Sequence, residues 1–299
     1  MKKSFLFLFM LLPVLMMGQS SISSLTKLLD STRKERNDSL RIELNSLFYN
    51  QLERYISQTG FIPDSIKSLR IGQTKPTDDA FIFYNWNIQQ NDGQNLYCGL
   101  IYKTTTGKVI ELPIKPSQKK VSSDSIYALN DWPGALYYKA IGPKRKTDNF
   151  YLLLGWDRFE HQTSRKSLEA ITFLNDSSVV FGKEVFKNKE GITSRIIIEY
   201  AATASLTLNY SKQKLTLTGV RKSQSRVNDS IVIVDRLMPL NENLEGQRWA
   251  YVPVGNIYDG YVYFKGYWTF VEGINARNPA VKKEDRKKIK KPDLDLLPH

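Results

Sequence analysis

Between Asn37 and Gly60 the apolar residues Leu40, Leu44, Leu47, Phe48, Leu52, Tyr55 and Ile56 recur at spacings of three and four, the period of one helix face. Asn37, Asp38 and Ser39 supply a cap and Gly60 a stop, and a weaker helical stretch around Leu25, Leu28 and Leu29 precedes them. Short helices with one apolar face draw most of their stability from packing, so both are expected to lie against the rest of the chain. After Gly60 the period shortens to that of strands. Runs rich in β-branched and aromatic residues occupy 69–72, 81–88, 96–103, 108–112, 136–141, 150–156, 168–174, 179–186, 195–200, 206–210, 215–219, 231–237, 249–252, 258–264 and 267–271. The connections 104–107, 175–178 and 211–214 are hairpin-sized, which forces antiparallel neighbours, because a parallel pair needs a crossover of about a dozen residues or more.

Grouped in fours, the strands form sets that begin near Leu69, Leu136, Arg195 and Trp249, roughly blade-sized steps of about 50 to 70 residues. The segments 81–87 and 150–157 share an aromatic start, a Trp near the end and an Asn or Asp after it. The pattern therefore predicts an all-β fold of antiparallel meanders, irregular and propeller-like, with a two-sheet sandwich as the alternative, behind a short N-terminal helical segment. Residues 115–133 are polar apart from Ile126, Tyr127 and Leu129 and are expected to form a long loop with one helical turn.

The two ends of the chain change this picture. Lys2 and Lys3 precede an unbroken apolar run from Phe5 to Met17, too short to span a bilayer, which ends at small Gly18 before Gln19, Ser20 and Ser21. That is the pattern of an export signal at 1–18, with the mature chain starting at Gln19 and a helical segment at 19–60, an all-β domain at 61–275 and a tail at 276–299. Loss of the two lysines takes the formal charge from +13 to +11. Between 276 and 291 eight Lys and Arg face only Glu284 and Asp285, a basic tail suited to an anionic envelope surface or glycan. Nucleic acid fits an exported chain poorly and no nucleic-acid module signature appears. The expected mature protein has no second apolar run long enough to cross a membrane. Cys98, the single cysteine, excludes an intramolecular disulfide and sits in an apolar run as a buried thiol, too far from the signal to carry a lipid anchor.

Candidate chemistry is sparse. With His161, terminal His299 and Cys98 as the only His and Cys, no metal or cofactor site is expected and no residue is assigned as catalytic; His161 reads as an exposed loop residue. No G-x-S-x-G marks a serine nucleophile. Carboxylate pairs remain open, because two acids suffice to cleave a glycosidic bond, and Asp157, Glu199, Asp235 and Asp259 stand at or near strand ends beside arginines such as Arg158, Arg195 and Arg236. Among the tryptophans Trp86, Trp132, Trp156, Trp249 and Trp268, Trp132 lies in the turn sequence Asn-Asp-Trp-Pro-Gly and is expected to be the most exposed. The binding candidates are Trp132, Trp156, Asp157, Tyr258 and Asp259.

The order of the segments 151–157, 181–186, 195–200, 231–239 and 258–260, together with 81–86, resembles an exported family of unknown function common in Bacteroidota. The resemblance implies an all-β body and a Gram-negative envelope, periplasmic or extracellular, and lends no mechanism. The leading functional expectation is a non-enzymatic module that binds a glycan or a protein partner. The alternative is a carboxylate-dependent hydrolase of a cell-wall or polysaccharide substrate. Two acids about 5 to 10 Å apart in an aromatic-lined cleft would favour the hydrolase.

Overall fold

The computed structural model describes residues 21–116, 120–158, 160–216 and 226–274; the signal-like start and the basic tail lie outside the described residues. The chain forms two compact units that divide after Arg70, so residues 61–70 go with the helices and not with the β domain.

In the first unit, α1 (Ile22–Lys34) opens on a reciprocal capping box between Ser21 and Ser24, and α2 (Asp38–Ile56) opens on Asn37, whose Oδ1 accepts from the Leu40 N–H at 3.1 Å. The turn between them is held by Arg41, which donates to the Glu35 carbonyl at 2.8 and 2.6 Å and pairs with Asp38 at 2.7 Å. The helices pack on each other, with Leu25, Leu29, Phe48, Leu52 and Ile56 buried. The buried stripe of α2 also takes in Asn45 and Tyr49, while Leu40 and Leu47 are 50% and 47% exposed. The apolar positions thus divide into two stripes, of which only the one through Phe48 is covered. A 3₁₀ turn at Pro63–Ile66 comes next, and Arg33 donates to the Arg70 carbonyl.

The second unit is built mainly of β-sheet. It begins with β1 (Gly72–Thr74), β2 (Phe81–Gln89), β3 (Asn95–Lys103), β4 (Val109–Pro116), β5 (Tyr127–Ala128), β6 (Leu136–Ile141), β7 (Tyr151–Asp157) and β8 (Thr163–Phe173). It continues with β9 (Val179–Phe181), β10 (Phe186–Lys187), β11 (Ile192–Thr193), β12 (Arg195–Ala201), β13 (Leu208–Thr216), β14 (Arg226–Pro239), β15 (Tyr251–Phe264) and β16 (Tyr267–Ile274). Strands β1 to β4 make a first sheet in chain order. A middle sheet runs β5-β9-β8-β7-β6, with β12 beside β9 on the same edge of β8. The third runs β11-β10-β16-β15-β14-β13, and its short β10–β16 contact is parallel.

The sheets stack as three layers and no barrel closes. Phe81, Phe83, Tyr97, Ile101 and Leu112 of the first sheet meet Leu153, Ile171 and Phe181 of the middle one. Leu152, Leu154, Leu168 and Ala170 point the other way and meet Leu208, Val232, Val234, Tyr261 and Trp268 of the third. Alternate residues of β7 therefore feed two cores, which is why Tyr151 to Leu154 read as a continuous apolar run. Strands β2 and β3 are also buried on both faces, and Cys98 is 0% exposed, as its apolar run implies.

The four expected strand sets become three sheets, because two apparent strand pairs are single long strands. Residues 211–214, expected to turn, lie inside β13, with Ser211 opposite Ile231 and Lys214 opposite Asn228. Residues 249–252 and 258–264 largely merge into β15, whose pairing jumps from Asp235–Tyr258 to Leu237–Pro253 around a bulge. The turns at 104–107 and 175–178 are tight as expected, the first closed by Gly107 N–H to the Lys103 carbonyl at 2.8 Å and the second by Leu174 N–H to the Ser178 carbonyl at 3.0 Å. The 115–133 connection holds the expected helical turn as a 3₁₀ segment at Leu129–Asp131. Among the described residues no helix is long and apolar enough to cross a membrane.

Candidate functional site

The face of the middle sheet turned toward the first sheet carries charge where a core would be apolar. Strand registers set three rows across β7, β8 and β12: Asp157–Arg165–Glu199, Gly155–Ser167–Ile197 and Leu153–Glu169–Arg195. Asp157, Arg165, Glu169 and Arg195 are buried, between 1% and 6% exposed. Arg165 grips Asp157, with Nε 3.0 and 3.2 Å from its two oxygens and Nη2 at 2.9 Å. Arg195 grips Glu169 through Nε at 2.8 Å and Nη2 at 2.7 Å, and its remaining donors reach the carbonyls of Ser122, Ser125 and Phe181 at 2.6, 2.8 and 3.0 Å. Each arginine offsets the charge of its own carboxylate, which is how four charges are tolerated at such depth.

Tyr137 completes the wall. Its ring packs over Gly155, where an added Cβ would stand 2.6 Å from Ser167 Oγ and 3.1 Å from the ring, and its hydroxyl donates to Glu169. Burial first, then the charge and hydrogen bond of Glu169, push the Tyr137 phenol well above its usual range. Tyr97, from the first sheet, accepts the Arg158 N–H at 2.9 Å, and its phenol is raised by burial and then by the Asp157 charge. Gly182, at φ +101°, leaves room for Arg195: a Cβ there would meet Nη2 at 2.9 Å. The wall lines a cavity of about 20 Å³ bounded by Val121, Pro133, Gly134, Ala135, Ser167 and Ile197 beside the four charged residues. A single water needs roughly 10 to 15 Å³, whereas sites for organic ligands run to about 300 Å³ or more.

The five sequence candidates do not converge. Trp132, expected to be exposed, is 0% exposed: its indole N–H donates to the Pro113 carbonyl at 2.8 Å and its ring lies 6.2 to 6.3 Å from Phe181 and Tyr137. The turn that holds it is folded under the sheet pair, with Gly134 at φ +80° reversing the chain beside it. Trp156 and Asp157 are neighbours on β7 and so face opposite ways. Asp157 belongs to the charged wall; Trp156, half-buried, packs toward the third sheet and donates to the Tyr200 hydroxyl at 3.1 Å. Across the strand from Trp156, Lys166 sits 4.5 Å over the Tyr138 ring, which a β-bulge turns to this side. Burial lowers the Lys166 pKa, opposed by Asp235.

Tyr258 and Asp259 belong to the third sheet. Asp259 is held by the Arg236 guanidinium, with Nε at 3.0 Å, and by the Gly273 N–H at 2.8 Å, while Tyr258 packs on Ile231, Ile233, Val262 and Ile274. The middle sheet separates Asp259 from Asp157. Asp235 accepts the Thr207 N–H at 2.6 Å. Glu199 shares a row with Asp157 about two strand spacings away, roughly 10 Å, with the Arg165 position between them. A glycosidase of that spacing keeps its gap for water and sugar; here an arginine fills the row. His161 is exposed in its loop, as expected.

Sequence reasoning missed Arg165, Glu169 and Tyr137, and named Arg195 only as a neighbour of the strand-end acids. The signal for Arg165 and Glu169 is the alternation in Thr163-Ser-Arg-Lys-Ser-Leu-Glu-Ala-Ile171, which marks a polar strand face without saying what covers it. Among the described residues no three His, Cys, Asp or Glu side chains gather as a metal site requires. Comparison of the chain with family models, with curated proteins and with solved structures finds no match to any of them, so its function has to be read from this geometry.

Proposed function

We propose that this chain is an exported envelope protein, periplasmic or extracellular, that binds a glycan or a protein partner on a rigid β-scaffold and performs no hydrolysis. The observation that carries the reading is the engagement of the strand-end acids: Asp157 and Asp259 are gripped by guanidinium groups, as is Glu169 in the same wall. A general acid has to reach the leaving oxygen of a substrate, and these carboxylates already spend their oxygens on guanidinium donors. The cavity beside Asp157 and Glu169 is water-sized, too small for a sugar ring. The exposed apolar side chains Met238, Leu240, Trp249 and Ile257 toward the turn end of the β14–β15 hairpin support the binding reading. The basic start and short apolar run of the chain support export.

The test is incubation of the protein, purified from its own host, with peptidoglycan sacculi and with soluble polysaccharides, followed by co-sedimentation and an assay for new reducing ends. Retention without release of reducing ends is the expected result. Release that is lost in Glu199→Gln would establish the hydrolase, and N-terminal sequencing that finds Met1 retained would overturn export.

A further inference from the structure

One end of the middle and third sheets gathers cations on a floor of aromatic rings. The β6–β7 loop brings Lys144, Arg145 and Lys146; the turn after β15 brings Lys265; β13 brings Lys212; and Lys183 precedes β10. These pieces meet in space. Lys144 reaches the Ser230 carbonyl at 3.5 Å, and Ser230 is the cross-strand partner of Lys212. Arg145 packs on Gly266, next to Lys265, and the Val185 carbonyl accepts the Trp268 N–H at 2.7 Å, which sets Lys183 nearby. Four of the cations lie over rings: Lys144 over Tyr210 at 5.9 Å, Arg145 over Tyr263 at 5.5 Å, Lys183 over Phe150 at 6.0 Å and Lys265 over Phe264 at 5.4 Å. A ring beneath a cation restricts the side chain that carries it, so less rotamer freedom is lost when an anion arrives.

The compensating acids are few and mostly committed. Asp148, in the same loop, has a buried side chain that holds Arg145 at 2.9 Å and Tyr263 at 2.6 Å, and Asp229 pairs with Lys144 at 2.8 Å. Glu184 is exposed. Lys146, Lys212 and Lys265 are exposed and have no ion pair among the described residues. The exposed apolar side chains Met238, Leu240, Trp249 and Ile257 sit at the opposite end of the third sheet. Membrane docking by a folded surface draws on apolar insertion as well as charge, so a cationic end without it suits a soluble anionic polymer.

We propose that this basic end holds an anionic polysaccharide, one that carries uronate, sulfate or phosphate groups, and that it does so independently of the basic tail. The proposal rests on the glycan-binding reading above and adds its surface and ligand class. Its test compares three full-length proteins: the native chain, the triple variant Lys146→Glu/Lys212→Glu/Lys265→Glu, and the tail variant Lys287→Glu/Lys288→Glu. The probes are polygalacturonate, dextran sulfate, neutral dextran and phosphatidylglycerol vesicles, at low and at physiological salt, with thermal unfolding as the control for folding.

The native chain should bind the two polyanions and not dextran, with affinity that falls as salt rises, since exposed charges are screened over about 8 to 10 Å. The triple variant should bind at least about tenfold more weakly with an unchanged unfolding temperature, and the tail variant should lose less. Binding by the triple variant equal to the native chain, loss confined to the tail variant, or binding to vesicles but not to the polyanions would each overturn the proposal. Equal binding of neutral and anionic glycans by all three proteins would remove the basic end and leave the glycan reading intact; binding of no glycan would remove both.

Discussion

Arg195 directs every donor of its guanidinium at a fixed acceptor: the Glu169 carboxylate and the carbonyls of Ser122, Ser125 and Phe181. It thereby ties β12 to β8 and clamps the 120–135 connection over the charged wall. Arg195→Met should lower the unfolding free energy by about 3 to 5 kcal/mol, because it strands a buried carboxylate, and Glu169→Leu added to it should recover much of that loss. Urea unfolding of the two single variants and the double one checks this, and a neutral Arg195→Met would show that the pair is dispensable. Tyr137 and Tyr97 titrate above the usual phenol value because burial favours the neutral ring. Since their folded pKa values exceed the unfolded value of about 10, their contribution is complete below that pH and declines as pH rises toward the folded values, at about 1.4 kcal/mol per pH unit for each. Urea titrations between pH 9 and 11 should show that decline, and Tyr137→Phe should make it shallower. The wall is only half legible in sequence. Alternation identifies Arg165, Ser167 and Glu169 as one face, but whether water or another sheet meets that face depends on contacts far away in the chain, and the same is true of Trp132 in its turn.

Elements are most legible where a local cue sets both ends. Asn37 opens α2, which ends at Ile56, four residues ahead of the stop expected at Gly60, and the turns at 104–107 and 175–178 separate β3 from β4 and β8 from β9. They are least legible where polar residues continue a strand: Lys212 and Lys214 face solvent while Gln213 is buried, so β13 runs on through a segment that resembles a turn. In α2 periodicity alone does not single out the covered stripe, because Leu40 and Leu47 share its helical period with Phe48 and Leu52. Leu52→Ala should cost about 2 to 5 kcal/mol, whereas Leu47→Lys should change stability by no more than about 0.5 kcal/mol, as thermal or urea unfolding will report. Gly155 shows the same dependence on a neighbour within a strand. Gly155→Ala should destabilise the protein by about 1 to 3 kcal/mol, since the new methyl meets Ser167 and the Tyr137 ring, and Tyr137→Ala in that background should relieve part of the added strain.

At the scale of the whole molecule, two cores share the middle sheet, and the second unit is expected to unfold as one. Cys98, 0% exposed in the first sheet, offers a probe of that cooperativity. Its reaction with a thiol reagent should be slow in the native protein and should accelerate with denaturant in step with global unfolding; rapid native labelling would reveal that the first sheet opens by itself. The path of the chain between the middle and third sheets points the same way. After β9 it leaves the middle sheet, places Phe186 beside Trp268 of the third, turns at 188–191 and returns to lay β12 along β8. The two sheets are therefore stitched through each other, and no single cut yields two self-sufficient halves. A gene fragment that ends at Ala201 would encode every strand of the middle sheet, yet its β10 would have no β16 to pair with and Phe186 no pocket to enter. The middle and third sheets are thus expected to be inherited together, since a fragment that carries one of them leaves β10 and Phe186 without their partners.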